Sequence, residues 1–188
     1  SKGLKTFDGN LDYWKIEMAV EQSFFTKNIG KSDYRFEIGY IDHDLPIGLL
    51  FTGEGSYHPN YPFIAKNTFQ TMTPYEFVSD QYTNLFLSHN FGTLLLKTKI
   101  MQPVFSIHHN SGWGKLANHQ DFDKINFKTK EKIFFESGLQ IDNIIKLNFR
   151  NLGYLGIGAA AFYRYGYYSL PNPNDNVAYK GTLNFTIK

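Results

Sequence analysis

The chain has 188 residues and a formal net charge of only +2, so its charge balance gives no case for nucleic acid as a partner. It contains no cysteine, which excludes disulfides and thiol chemistry. No apolar run approaches the ~20 residues of a transmembrane helix. Hydrophobic residues nonetheless make up 42% and aromatic residues 18% of the chain, and a membrane signal carried by strand alternation survives a mean hydropathy of −0.35.

Ser1-Lys2-Gly3-Leu4 carries neither an initiator Met nor a signal peptide, so the expectation is a mature or partial chain whose beginning lies elsewhere. Phe7-Asp8-Gly9-Asn10 reads as a turn. Trp14, Ile16, Met18 and Val20 then alternate with Lys15, Glu17, Ala19 and Glu21, the period of a strand, although Ile16, Ala19, Val20 and Phe24 also fit one face of a helix. Asn28-Ile29-Gly30-Lys31-Ser32 has hairpin-turn chemistry. Tyr34, Phe36, Ile38 and Tyr40 alternate with Arg35, Glu37, Gly39 and Ile41, completing a first hairpin.

Pro46, Gly48, Gly53, Gly55, Pro59 and Pro62 break up residues 42–61 around a brief apolar run at 47–51, a loop or a short strand. A short strand is expected at 63–72. A firmer one follows at 79–91, with Leu85, Leu87 and Phe91 opposite Asn84, Ser88 and Asn90. Gly92 turns the chain and 104–109 forms another strand. Residues 110–132 are long, polar and rich in alternating charge, which reads as a solvated loop. Strand character resumes at 133–141 and leads through Asp142-Asn143 to the closing pair.

That pair has the longest alternation in the chain. In 155–168, Leu155, Ile157, Ala159, Ala161, Tyr163, Tyr165 and Tyr167 share one face, against Gly156, Gly158, Ala160, Phe162, Arg164 and Gly166. In 177–188, Val177, Tyr179, Gly181, Leu183, Phe185 and Ile187 oppose Ala178, Lys180, Thr182, Asn184, Thr186 and Lys188. Soluble strands average about 5–6 residues, whereas a strand tilted across a bilayer needs about 9–11. The aliphatic face runs into tyrosines toward the Pro171–Asn176 loop, as at a membrane interface, and the other face suits a polar lumen. The fold class expected is therefore all-β: an antiparallel transmembrane β-barrel, or the C-terminal part of a larger one, with seven to nine strands in one region spanning 1–188.

Thr71-Met72-Thr73-Pro74-Tyr75-Glu76-Phe77-Val78-Ser79-Asp80-Gln81-Tyr82, followed by Leu87-Ser88-His89-Asn90-Phe91-Gly92, resembles a Bacteroidota family. Phe135-Glu136-Ser137-Gly138-Leu139-Gln140-Ile141-Asp142-Asn143-Ile144-Ile145 resembles a second stretch of the same family. Its members are outer-membrane proteins of unknown function with a carboxypeptidase-regulatory-like domain ahead of a C-terminal β-barrel region. The resemblance implies a location in the bacterial outer membrane, a larger parent chain and no peptidase activity.

Chemistry has few candidates. His109 and Ser111 are i and i+2, so on a strand they share a face about 6–7 Å apart, and a histidine beside a serine can make a nucleophile with Asn110 or an acid orienting the ring. The His-x-Ser spacing resembles that of outer-membrane phospholipases and lipid A deacylases, but Gly112 stands where those enzymes have Asn. Asp42-His43-Asp44 offers three oxygen or nitrogen ligands, of which His43 diverges from both acids on a regular strand, and His58 and His119 lack ligand-like spacing to each other. Glu76 and Asp80 are expected to bond to a lumenal cation such as Arg164, and the tyrosines at 163–168 to form an interfacial girdle. The sequence thus favours a non-enzymatic barrel component that anchors a periplasmic module, with no cofactor and no metal. Its partners would be outer-membrane lipid and other envelope proteins or the remainder of its own barrel. An acyl hydrolase using Ser111 and His109, a passive pore and a soluble ligand-binding barrel are the alternatives.

Overall fold

The computed structural model describes residues 2–3, 13–43, 45–93, 97–98, 100–117, 128–149 and 152–187. Ten strands appear among them: β1 (Lys2–Gly3), β2 (Tyr13–Thr26), β3 (Gly30–Ile41), β4 (Phe51–Thr52), β5 (Val78–Ser79), β6 (Gln81–Gly92), β7 (Val104–Lys115), β8 (Phe134–Phe149), β9 (Gly153–Tyr165) and β10 (Val177–Ile187). Eight make one sheet in the order β1-β2-β3-β6-β7-β8-β9-β10, and β4 pairs with β5 apart from it. Every pairing in the large sheet is antiparallel. The sheet is open: β10 and β2 are not neighbours. The all-β expectation holds, and seven strands of 11 to 16 residues satisfy the expected count.

Alternation decides which side chains meet. Gln22, Tyr34, Leu87, His109, Ser137, Tyr163 and Val177 follow one another across the strands on one face. Among the described residues no segment covers that face, and Ile16 (50% exposed), Met18, Val20, Ile38, Ile107, Leu139 (66%), Ile157 and Leu183 (53%) lie open on it. The opposite face carries Glu37, Asn84, Asn110, Glu136, Arg164, Lys180 and Thr182, all buried. A soluble sheet covers its apolar face and leaves the polar one to water. Here the assignment is reversed.

The excursion between β3 and β6, residues 42–80, covers the polar face. Leu45, Leu50, Phe51 and Val78 pack with Ile41, Tyr82 and Leu116. Phe69, Met72 and Phe77 pack with Phe86 and Phe134, and Tyr57 and Ile64 lie against Ala160, Phe162 and Ala178. Phe69 sits 5.0 Å from the Phe86 ring and edge-on to Phe134 at 5.1 Å, the aromatic geometry that adds to simple burial. Gly112 leaves the room for this, because a Cβ there would lie 2.7 Å from the Phe69 ring.

Three expectations are corrected, and one alternative is decided. Residues 110–115, read as the start of a loop, continue β7. Asp142 and Asn143, read as the connection to the closing pair, lie inside β8, which runs on to Phe149. The register shifts between Ile141 and Ile145, so the two polar residues sit in a bulge where Asp142 accepts from Thr182 Oγ1 at 2.6 Å and Gln140 Nε2 at 2.7 Å. The strand expected at 63–72 is reduced to single bridges, Phe63 to Gly181 and Phe69 to Gly55. The helical option at 16–24 gives way to β2. Part of the expected solvated loop, 118–127, lies outside the described residues.

Candidate functional site: the latched inner segment

Three charged groups on the covered face hold the excursion down, and Lys130 joins them from a connection. Glu136, on β8, is fully buried. Its carboxylate accepts from the backbone N–H of Gln70 and of Thr71, both at 2.9 Å, and from Thr71 Oγ1 and Asn110 Nδ2, both at 2.7 Å. Four donors satisfy a charge that burial alone would make costly.

Arg164, on β9, donates from Nη2 to Glu76 Oε1 at 2.8 Å and from Nη1 to Glu76 Oε2 at 3.2 Å. Its guanidinium also stacks over Phe134 at 4.8 Å. Lys180, on β10, donates to the carbonyls of Tyr61 at 3.1 Å and Ser56 at 3.3 Å. Lys130 reaches in from the β7–β8 connection and donates to Asn84 Oδ1 at 3.2 Å. Burial pushes its ammonium down to about 8, against the pull of the Glu54 and Glu37 carboxylates.

Beside the latch a polar cavity of about 530 Å³ remains. Lys66, Glu21, Arg35, Asp142, Gln140 and Asn184 are among its lining residues. Its charges are largely mutual: Lys66 pairs with Glu21 at 2.6 Å, and Arg35 with Glu37 at 2.5 Å and Glu21 at 3.3 Å.

The candidate nucleophile pair shares a face, as its spacing required, but the histidine turns to other partners. His109 and Ser111 both lie on the open face, mid-strand in β7 rather than at its end. His109 Nδ1 contacts Ser137 Oγ on β8 at 3.0 Å and Tyr165 Oη at 3.2 Å, across the sheet instead of along its own strand to Ser111. Asn110, named as a possible orienter, points to the opposite face and serves Glu136. Asp42 Oδ1 accepts from the Trp14 N–H at 2.6 Å and lies 3.0 Å from His43 Nδ1, and these contacts hold its carboxyl below the usual range. Asp44 and His119 lie outside the described residues. His58 Nδ1 accepts from the Asn60 N–H. Among the described residues no three His, Asp or Glu groups converge on a metal position.

Glu76 does bond to Arg164, as its charge suggested. Asp80 does not: its Oδ2 accepts from the Ala117 N–H at 2.8 Å. Tyr163 and Tyr165 stay on the open face, stacked on each other and Tyr165 on Phe135, whereas Tyr168 turns inward against Phe77 at 4.9 Å. The roles of Glu136, Lys130 and Lys180 escape sequence reasoning. Glu136 and Lys180 read locally as polar strand positions and Lys130 as a charge in a solvated loop, and the partner of each lies far away in the chain. No family model, curated protein or solved structure matches this chain.

Proposed function

We propose that this chain forms part of the wall of an outer-membrane β-barrel, in which the 42–80 excursion folds into the lumen and narrows it. The observation that carries the reading is the reversed sheet: a continuous apolar face without cover and a charged face buried under the chain's own excursion. Exposed apolar surface on this scale marks a membrane or protein interface, and strands of 11 to 16 residues have the reach of tilted bilayer-spanning strands. Trp14, Tyr40, Tyr163, Tyr165 and Tyr179 lie on the open face toward one end of their strands, and Phe24, Phe91, Phe105, Phe149 and Phe185 toward the other. This supports an aromatic girdle at each interface. The two longest connections, 42–80 and 116–133, lie at the first end and the two shortest, 27–29 and 150–152, at the other, in keeping with the rule for external loops.

The function is non-enzymatic: a membrane anchor for other envelope modules, with outer-membrane lipid as its immediate partner. A freely conducting pore is disfavoured by the latch across the lumenal face. The resemblance to Bacteroidota outer-membrane proteins points the same way.

Both tryptophans of the chain, Trp14 and Trp113, lie on the open face. Reconstituted into vesicles whose acyl chains carry bromine, the protein is expected to lose most of its tryptophan emission while retaining the strand spectrum. Unquenched emission from folded, vesicle-bound protein defeats the reading.

A further inference from the structure

The two edges of the sheet are in different states. At β2, Lys2 and Gly3 pair antiparallel with Trp14 and Tyr13, and residues 16–25 of that edge meet no strand among the described residues. At β10, Gly181 donates to the Pro62 carbonyl at 2.5 Å and accepts from the Ile64 N–H at 3.1 Å. Residues 182–187 of that edge meet no strand among the described residues. Within a bilayer an unpaired strand edge is untenable, because no water is present to satisfy its backbone groups. This inference rests on the membrane reading above.

Three features say what covers the edges. The first is width. Eight strands close a barrel whose interior is just filled by side chains, yet here the polar face already carries the whole 45–80 segment with Phe69, Met72 and Phe77 inside. The seven long strands cannot close around it by themselves. The second is parity. All six pairings among the long strands are antiparallel, so β2 and β10, first and last of an odd set, run in the same direction. A second copy of the seven long strands alone would bring β10 beside β2 in parallel at both seams and break the alternation. The third is the start that β1 makes on β2, which sets the register and direction of the neighbouring strand.

We infer that the barrel is closed by an odd number of further antiparallel membrane-spanning strands from outside residues 13–187. The first continues the pairing that Lys2 and Gly3 begin along β2, and the last lies antiparallel to β10 along 182–187. These strands carry the same chemistry as β2 and β10, apolar toward lipid and polar toward the lumen, and are not a second copy of the seven long strands alone. The β10 seam is the shorter of the two, since Pro62 and Ile64 already hold the edge at Gly181.

The test places a photoreactive benzoylphenylalanine singly at Gln22, Phe185 and Leu139 in the protein in its native membrane, with adducts read by mass spectrometry. Leu139 lies mid-sheet on the open face and is expected to capture lipid alone. Gln22 and Phe185 are each expected to capture a polypeptide with period-two apolar alternation from outside residues 13–187. Capture of β2 by Phe185, or of β10 by Gln22, overturns the inference, as does capture at one edge alone, of a segment without that alternation, or of lipid at both. If Leu139 captures no lipid, the membrane reading itself fails.

Discussion

Arg164 holds Glu76 with both terminal nitrogens, at 2.8 and 3.2 Å, across 88 positions of sequence. The pair ties the inner segment to β9, and its two members are unequally protected. Arg164 is 1% exposed and has its Nε without a partner. Glu76 also accepts from the Thr73 N–H at 3.2 Å and has Lys128 at 3.9 Å.

Removing the carboxylate therefore strands a deeply buried cation, whereas removing the guanidinium leaves an anion with other company. Glu76→Leu is expected to cost about 3–5 kcal/mol of stability and Arg164→Met less. The double variant is expected to fall short of the sum, since the two sites share one interaction. Denaturant unfolding of the four proteins in one detergent checks the order. Equal single-variant costs that add without coupling contradict it.

The sheet was largely legible because alternation is a local signal: β2, β3, β6, β9 and β10 lie close to where side-chain parity put them. The inner segment was not. Its residues 42–80 have the prolines and glycines of a surface loop, and nothing local says that Gln70 and Thr71 dock on Glu136 some 65 positions away. Asn110, Ser111 and Asp142 misled for the same reason. Polar residues usually mark loops in soluble proteins, but Asn110 and Asp142 lie on the buried polar face and Ser111 sits between Leu85 and Phe135 on the open one.

Glu136→Gln keeps the shape and replaces an acceptor oxygen with an NH₂ that faces donors from Gln70, Thr71 and Asn110. One of those donors loses its bond, at a cost of about 1–3 kcal/mol. The amides of Gln70 and Thr71 are expected to exchange hydrogen faster than in the parent protein while amides of β9 and β10 keep their protection. Unchanged exchange at 70 and 71 shows that the carboxylate does not fasten the segment.

Lys130 makes stability depend on alkaline pH. Its folded affinity for a proton is lowered to about 8 from 10.5, so between these values the unfolded chain holds the extra proton and stability rises with pH. The gain is at most on the order of 3 kcal/mol. Lys130→Met removes this slope. Melting curves of both proteins from pH 7.5 to 10.5 are expected to diverge in gradient, and parallel gradients count against a buried, weakly basic Lys130.

His109 is expected to support no lipid hydrolysis. The serine it touches is Ser137, at 3.0 Å, so Ser137→Ala belongs in the assay with Ser111→Ala. Purified protein given phospholipid and lipid A is expected to show no turnover that depends on either serine. Turnover lost in one of the two variants assigns a nucleophile and overturns the non-enzymatic reading.

The membrane orientation of the sheet is tested most directly on β10, where Leu183 and Asn184 are adjacent and face opposite ways. Leu183 is 53% exposed on the open face, and Asn184 lines the polar cavity. Thr182 is unsuitable as the inward control, because it is buried and bonded to Asp142 at 2.6 Å. An arginine facing lipid near mid-bilayer costs about 2–4 kcal/mol, whereas one entering a water-accessible polar cavity does not bear that cost. Folding yield into lipid vesicles is expected to fall sharply for Leu183→Arg and to stay near the parent value for Asn184→Arg. Equal yields, or a greater loss for Asn184→Arg, contradict a lipid-facing open face.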